Sequence, residues 1–159
     1  MSNPPVEAPL GLALVVCDTL IEDKRSGKKS LIGLFDQIFT SSFPCVHQGM
    51  DVYISVTGGR GEAACELVCR HGESQAVAFS AKGKIKFPSP NHVVELVFQL
   101  RGVRFAEPGV YWLHFLADDA PVMGRPLFVR KAEPRRPPAV PGAPGERGPE
   151  DGVQPPEQS

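Results

Sequence analysis

The chain has 159 residues, enough for one domain of ordinary size and too few for two with full cores. Of its 17 Lys+Arg and 18 Asp+Glu, only 3 and 5 follow Lys131, so the part before carries about one net positive charge and lacks the broad field that holds nucleic acid by counterion release. The apolar run Leu10 to Cys17 is short, has no basic stretch before it and closes on Asp18, so it reads as neither signal peptide nor membrane span, and the expected location is the cytoplasm.

Residues 1–9 read as a flexible N-terminus, and eight β-rich stretches come after it, each closed by a turn signal. Leu10 to Ile21 places Leu10, Leu12, Leu14 and Val16 on one face. A turn at Asp23-Lys-Arg-Ser-Gly-Lys28 leads into Ser30 to Phe39, where Ile32, Leu34 and Ile38 share a face, so the two form a long hairpin with a basic tip. Met50 to Thr57 alternates Val52, Ile54 and Val56 with Asp51, Tyr53 and Ser55, the pattern of a half-buried strand. Ala63 to Arg70 puts Cys65, Leu67 and Cys69 on one face. In Gln75 to Phe87 and Val93 to Phe105, inward Ile85 and Phe87 match inward Val94, Leu96, Phe98 and Leu100. A hairpin between them would set Lys86 opposite Glu95. The last hairpin joins Val110 to Ala117 with Arg125 to Arg130 through Asp118-Asp119-Ala-Pro121.

After Lys131 the composition changes: 8 of the last 28 residues are proline, 4 are glycine, and none is aromatic. Such a segment buries too little apolar surface to offset its ordering entropy, so residues 132–159 read as a disordered tail. Evenly spaced short strands with repeated turns imply an all-β, antiparallel β-sandwich over residues 10–131, with a closed barrel as the alternative. Pro108-Gly-Val-Tyr111 resembles the strand entry found near the end of immunoglobulin-like sandwiches. Over a longer span, Val16-Cys-Asp-Thr-Leu-Ile-Glu-Asp23, Lys28-Lys-Ser-Leu-Ile-Gly-Leu-Phe35, Phe43-Pro-Cys-Val-His47 and Glu95-Leu-Val-Phe-Gln-Leu-Arg-Gly-Val103 resemble a family of small bacterial proteins of unknown function. That resemblance covers roughly residues 10–130, implies a bacterial cytosolic β-sandwich, and brings no catalytic or binding residues with it.

The residues that could carry chemistry are scattered. Cys17, Cys45, Cys65 and Cys69 read as free thiols in a reducing compartment. Cys65 and Cys69 stand about 13 Å apart on a straight strand, too far to share one metal. His47, His71 and His92 fall in loops, and Asp118 with Asp119 suits a turn better than a calcium site. With no nucleophile elbow and no phosphate loop, no catalytic, metal or cofactor residue is assigned. Two surfaces stand out. Lys24, Arg25, Lys28 and Lys29 form a basic tip suited to an acidic partner, beside a lysine ladder at Lys82, Lys84 and Lys86. The other is apolar: with Tyr111, Leu113 and Phe115 inward, Trp112 and Leu116 point outward, as do Val93, Val97 and Val103 on the preceding strand, and neighbouring strands would join them into one patch. The expected role is therefore a non-enzymatic interaction module bound to a protein partner or a second copy, with neither nucleic acid nor membrane as partner. The alternative is a small-ligand binder or enzyme with a site at the loop end, built from His47, His71 or Asp118.

Overall fold

A computed structural model describes residues 8–133, so the expectations for the first residues and for the tail beyond Glu133 lie outside the described part. Among the described residues nine strands form: β1 (Leu10–Glu22), β2 (Lys29–Leu34), β3 (Gln37–Thr40), β4 (Cys45–Thr57), β5 (Gly61–His71), β6 (Val77–Phe87), β7 (Val94–Phe105), β8 (Gly109–Ala117) and β9 (Ala120–Lys131). They assemble into a four-stranded sheet of order β2-β1-β4-β7 and a five-stranded sheet of order β3-β9-β8-β5-β6. The inner faces meet in one core containing Met50, Val52, Ile54 and Val56 from β4, Leu67 and Cys69 from β5, Ile85 and Phe87 from β6, and Leu113 and Phe115 from β8. Two separate sheets make this a sandwich rather than a closed barrel.

The ninth strand arises because Ser30 to Phe39 is not continuous. β2 pairs with β1 in one sheet, the chain crosses at Phe35-Asp36, and β3 pairs with β9 in the other. The β3–β9 pair is parallel, an exception to the antiparallel pairing expected throughout. Ile32 and Leu34 are therefore exposed while Ile38 is buried. β9 explains where β3 begins. Phe128 N–H donates to Asp36 O, and amides two residues apart point to the same side, so the N of Pro126 faces that side before any partner starts. A proline there leaves no ladder donor unmet.

Other departures have local causes. Leu10 and Leu12, expected inside, are exposed, because the β1–β4 register slips between Gly11 and Ala13. Val103, expected outside, is only 6% exposed. Core positions on β7 run Leu96, Phe98, Leu100 and then Val103, Phe105. The inside-outside parity reverses at Gly102, whose φ of 63° is the left-handed region that glycine enters without penalty. β6 and β7 belong to different sheets, so Lys86 faces Glu62 across β5 and the expected pairing with Glu95 does not form.

The entry to β8 is a tyrosine corner, and with the parallel β3–β9 edge it defines an immunoglobulin-like sandwich. Tyr111 Oη donates to Glu107 O at 2.7 Å, and its ring meets Phe105 edge-on at 4.9 Å. His71 braces the same corner. Its Nε2 lies 3.0 Å from Pro108 O, to which it donates, and Nδ1 accepts from the amides of Glu73 and Ser74. A Cβ on Gly109 would collide with that imidazole. Tyr111→Phe is expected to cost about 1 kcal/mol by leaving Glu107 O without its donor. Denaturant unfolding measures this, with an unchanged m-value if the sandwich is otherwise intact.

Candidate functional site

A sandwich of this kind presents two outer sheet faces, and charge and hydrogen bonding decide which of them is open. On β4 the even residues Met50 to Val56 point into the core, so Asp51, Tyr53 and Ser55 point outward. Asp51 is nevertheless only 2% exposed, and Ser55 and Cys17 are also buried. Their cover is the chain itself. β1 stops pairing with β4 at Cys17↔Asp51, and the amide of Leu20 then donates to Asp51 Oδ2 at 2.9 Å. Arg101 donates to Asp51 Oδ1 at 3.1 Å and to Leu100 O at 2.9 Å. A buried carboxylate is thus satisfied by one backbone and one guanidinium donor.

Beyond that anchor the β1–β2 hairpin leans over the face. Lys29 Nζ on β2 reaches Glu95 Oε2 on β7 at 2.7 Å, although β1 and β4 lie between those strands in sheet order. In a flat sheet three strand spacings would separate them by about 14 Å across the strands, and the register, with Glu95 level with Ser55 and Lys29 level with Val46, by about 30 Å along them, far more than the two side chains span. Tyr53 Oη donates to the other Glu95 oxygen at 2.6 Å and closes the link. Hydrogen bonds from Lys29 and Tyr53 hold the Glu95 carboxyl below its ordinary range, while the bond to Glu95 raises Lys29. Burial, then the Glu95 bond, raises the Tyr53 phenol.

A carboxyl lowered on folding stabilises above its unfolded value near 4 and loses that contribution as acid titrates the folded form, while a raised lysine stabilises below about 10 and loses it as alkali does so. The link therefore acts across a plateau from about pH 5 to 10. Glu95 is partly solvated, so its contribution is at most about 1 kcal/mol. Glu95→Gln is expected to lower stability by that amount within the plateau and to match wild type near pH 3, as read by chemical denaturation at each pH.

The basic tip is therefore divided. Lys29 is engaged, whereas Lys24, Arg25 and Lys28 stay exposed on a turn closed by Asp23, which accepts from Arg25 N and Ser26 Oγ. Backbone and side-chain bonds at that turn hold the Asp23 carboxyl below its usual range.

The expected apolar patch also divides. Val93 and Val97 adjoin the four-stranded sheet, Trp112 and Leu116 lie on the outer face of the five-stranded sheet, and the core separates them. On that second face strand pairing supplies neighbours the sequence did not reveal. Trp112 lies opposite Pro126 and Arg70, Val110 opposite Phe128, and Leu116 opposite Pro121 and Glu66. Phe128 in turn pairs with Gln37, which brings Phe39 to the same face. Trp112 is 40% and Phe39 63% exposed, and the Trp112 ring stacks on His114 at 6.2 Å with an interplanar angle of 19°. Val110 could have been found from its parity with Trp112. Phe39 and Phe128 required the parallel pairing. The lysine ladder borders this face, with Lys82, Lys84 and Lys86 opposite Glu66, Ala64 and Glu62.

The histidines and acids of the alternative site do not converge. His71 is buried at the tyrosine corner, His47 lies within β4 beside Phe35 at 5.7 Å, and His92 sits in the loop before β7. Asp118 occupies the two-residue turn between β8 and β9, where it and Asp119 have positive φ, and its Oδ1 accepts from Ala64 N. A cleft of about 300 Å³ beside that turn is lined by Arg60, Phe87, Asp118 and four alanines. Cys17, Cys65 and Cys69 are buried and Cys45 half-buried, all with free thiols. Burial pushes Cys69 up to about 12 and raises Cys17 and Cys65, which disfavours the thiolate a nucleophile or metal ligand needs. Among the described residues no group of three or more His, Cys, Asp or Glu is placed to hold a metal ion, and no helix is long and apolar enough to cross a membrane.

Fold and site together define an immunoglobulin-like sandwich in which the β1–β2 hairpin covers Asp51 on one sheet face and Trp112 and Phe39 are exposed on the other. The chain belongs to the family of unknown function DUF6941, whose model matches residues 12–130. No curated protein matches it. Among solved structures it is similar to β-glucosidase from Kluyveromyces marxianus, at 13% identity over 57% of this chain and 14% of that one with a TM-score of 0.38. It is also similar to β-glucosidase from Listeria innocua, at 9% identity over 74% and 16% with a TM-score of 0.40. The chain thus spans a small fraction of either enzyme, and scores at that level carry no argument about activity.

Proposed function

We propose that the protein is a non-enzymatic interaction module that binds a protein partner, first of all a second copy of itself, through the outer face of the five-stranded sheet. The observation that carries this reading is the row Phe39, Phe128, Val110, Trp112, Pro126 and Leu116 on one outer sheet face, of which Phe39 and Trp112 are exposed. Aromatic and aliphatic side chains lined up on one sheet face are typical of the desolvated centre of an interface, and Arg70 and the lysine ladder supply a polar rim. Face-to-face pairing of two such sheets about a two-fold axis is self-complementary. Four free thiols support residence in a reducing cytoplasm.

Light scattering behind size exclusion tests the reading on the full chain across a concentration series. A concentration-dependent dimer is expected, weakened at least about tenfold by Trp112→Asp, since a buried charge costs more than 1.4 kcal/mol, and unaffected by Val97→Asp on the opposite face. A dimer that survives Trp112→Asp, or one that Val97→Asp disrupts instead, would place the interface elsewhere.

A further inference from the structure

Among the described residues the two sheets end in four strand edges, and three of them are blunted. β2 and β3 are six and four residues long, and β6 carries Lys82, Lys84 and Lys86, a charge row that discourages strand pairing. β7 runs for 12 residues, holds neither lysine nor proline, and closes the four-stranded sheet with no described strand on its far side. Hydrogen bonds show which of its backbone groups are free. Arg101 Nη1 donates to both Met50 O and Leu100 O, so the carbonyls of this matched pair point toward each other between β4 and β7. Val16 O on β1 accepts from Phe35 N and so points away from β4, which turns its partner Val52 toward β7 and gives the same phase. In an antiparallel ladder alternate residues bond to opposite sides. The N–H and C=O groups of Leu96, Phe98 and Leu100 therefore serve β4, and those of Glu95, Val97, Gln99 and Arg101 face outward along the edge.

We propose that two copies of the chain pair antiparallel through these free β7 edges with Phe98 on the two-fold axis, joining their four-stranded sheets into one of eight. This contact lies on the other sheet from the face assigned above and does not rest on that reading. Its register satisfies hydrogen bonds and charge together. With Phe98 opposite its own copy, Glu95 meets Arg101, Val97 meets Gln99 and Leu96 meets Leu100, and the free groups of both chains pair in about eight hydrogen bonds. A slip of one residue sets free groups against groups already spent on β4. A slip of two sets Glu95 against Gln99 or Val103, and Arg101 against Val93 or Val97. Both charges have capacity for the new bond. Glu95 accepts one donor at each oxygen, from Lys29 and Tyr53, where a carboxylate takes about four, and every bond that Arg101 donates leaves from Nη1. Leu96, Phe98 and Leu100 are only half-buried at this side of the core, and the same residues of the second copy cover them.

Disulfide trapping reads the register directly. Val97→Cys and Gln99→Cys are made singly in full chains that also carry Trp112→Asp, which disables the five-stranded face, and are oxidised with copper phenanthroline over a range of concentrations. A strand edge buries less surface than a sheet face, so the contact forms at higher concentration than the dimer proposed above, and trapping accumulates it even where light scattering reads monomer. Opposed residues 97 and 99 stand about 5.5 Å apart at Cα, within disulfide reach, whereas either residue and its own copy stand about 9 Å apart, beyond it. An equal mixture of the two variants is expected to give at least about five times the covalent dimer of either variant alone. Trp112→Asp with no added cysteine sets the background from the half-buried Cys45. Equal yields from the mixture and from either variant alone, or no covalent dimer above background at the highest concentration, would overturn the proposal. Neither result bears on the five-stranded face, so the two readings fail separately.

Discussion

One buried carboxylate organises the surface of this protein. Asp51 faces outward from β4 yet lies out of water, held by the Leu20 amide and the Arg101 guanidinium. A buried carboxyl side chain in that position is tolerated because both oxygens have donors. Pairing between β1 and β4 ends at the same level, so the strand that would continue the sheet turns toward a side chain instead. The β1–β2 hairpin then leans over its own sheet and is tied at its far end by Lys29, Glu95 and Tyr53.

The two faces of the sandwich differ in how their side chains are covered because of that anchor. With the hairpin across it, the four-stranded sheet keeps Cys17, Asp51 and Ser55 dry, while Ile21, Ile32 and Leu34 on the hairpin itself stay exposed. The five-stranded sheet receives no such cover from the described residues, and its central strands carry Trp112, Val110, Phe128 and Pro126 outward. Apolar side chains there are costly to leave in water, which is the physical reason to look for an occupant on that side. The chain's route also matters. Crossing from β2 to β3 at Phe35-Asp36 adds the parallel edge strand and brings Phe39 to the same patch.

Alternating side chains were enough to read the all-β class, the Tyr111 strand entry and the inward set of β4 and β7 from the sequence, since period two survives without knowledge of partners. Outward Trp112 and Leu116 were legible for the same reason. Partner choice was not. Nothing local distinguishes a hairpin of β6 with β7 from two strands in different sheets, so Glu95 looked like a partner for Lys86 while its partners are Lys29 and Tyr53. Parity also fails wherever a left-handed residue resets it, as Gly102 does for Val103. Asp51 reads as an ordinary solvated position because the Leu20 amide that caps it lies 31 positions earlier in the chain.

Site-resolved amide exchange at Leu20 tests the anchoring of the hairpin most directly. No β4 carbonyl pairs at that level, so the protection of this amide depends on the Asp51 carboxylate. In wild type Leu20 is expected to exchange slowly, and in Asp51→Ala to exchange at least about tenfold faster while Leu113 in the core stays protected. A native Leu20 amide exchanging as fast as that of Lys24 at the exposed turn would contradict the account, because the hairpin would then be free to leave the face it is held to cover.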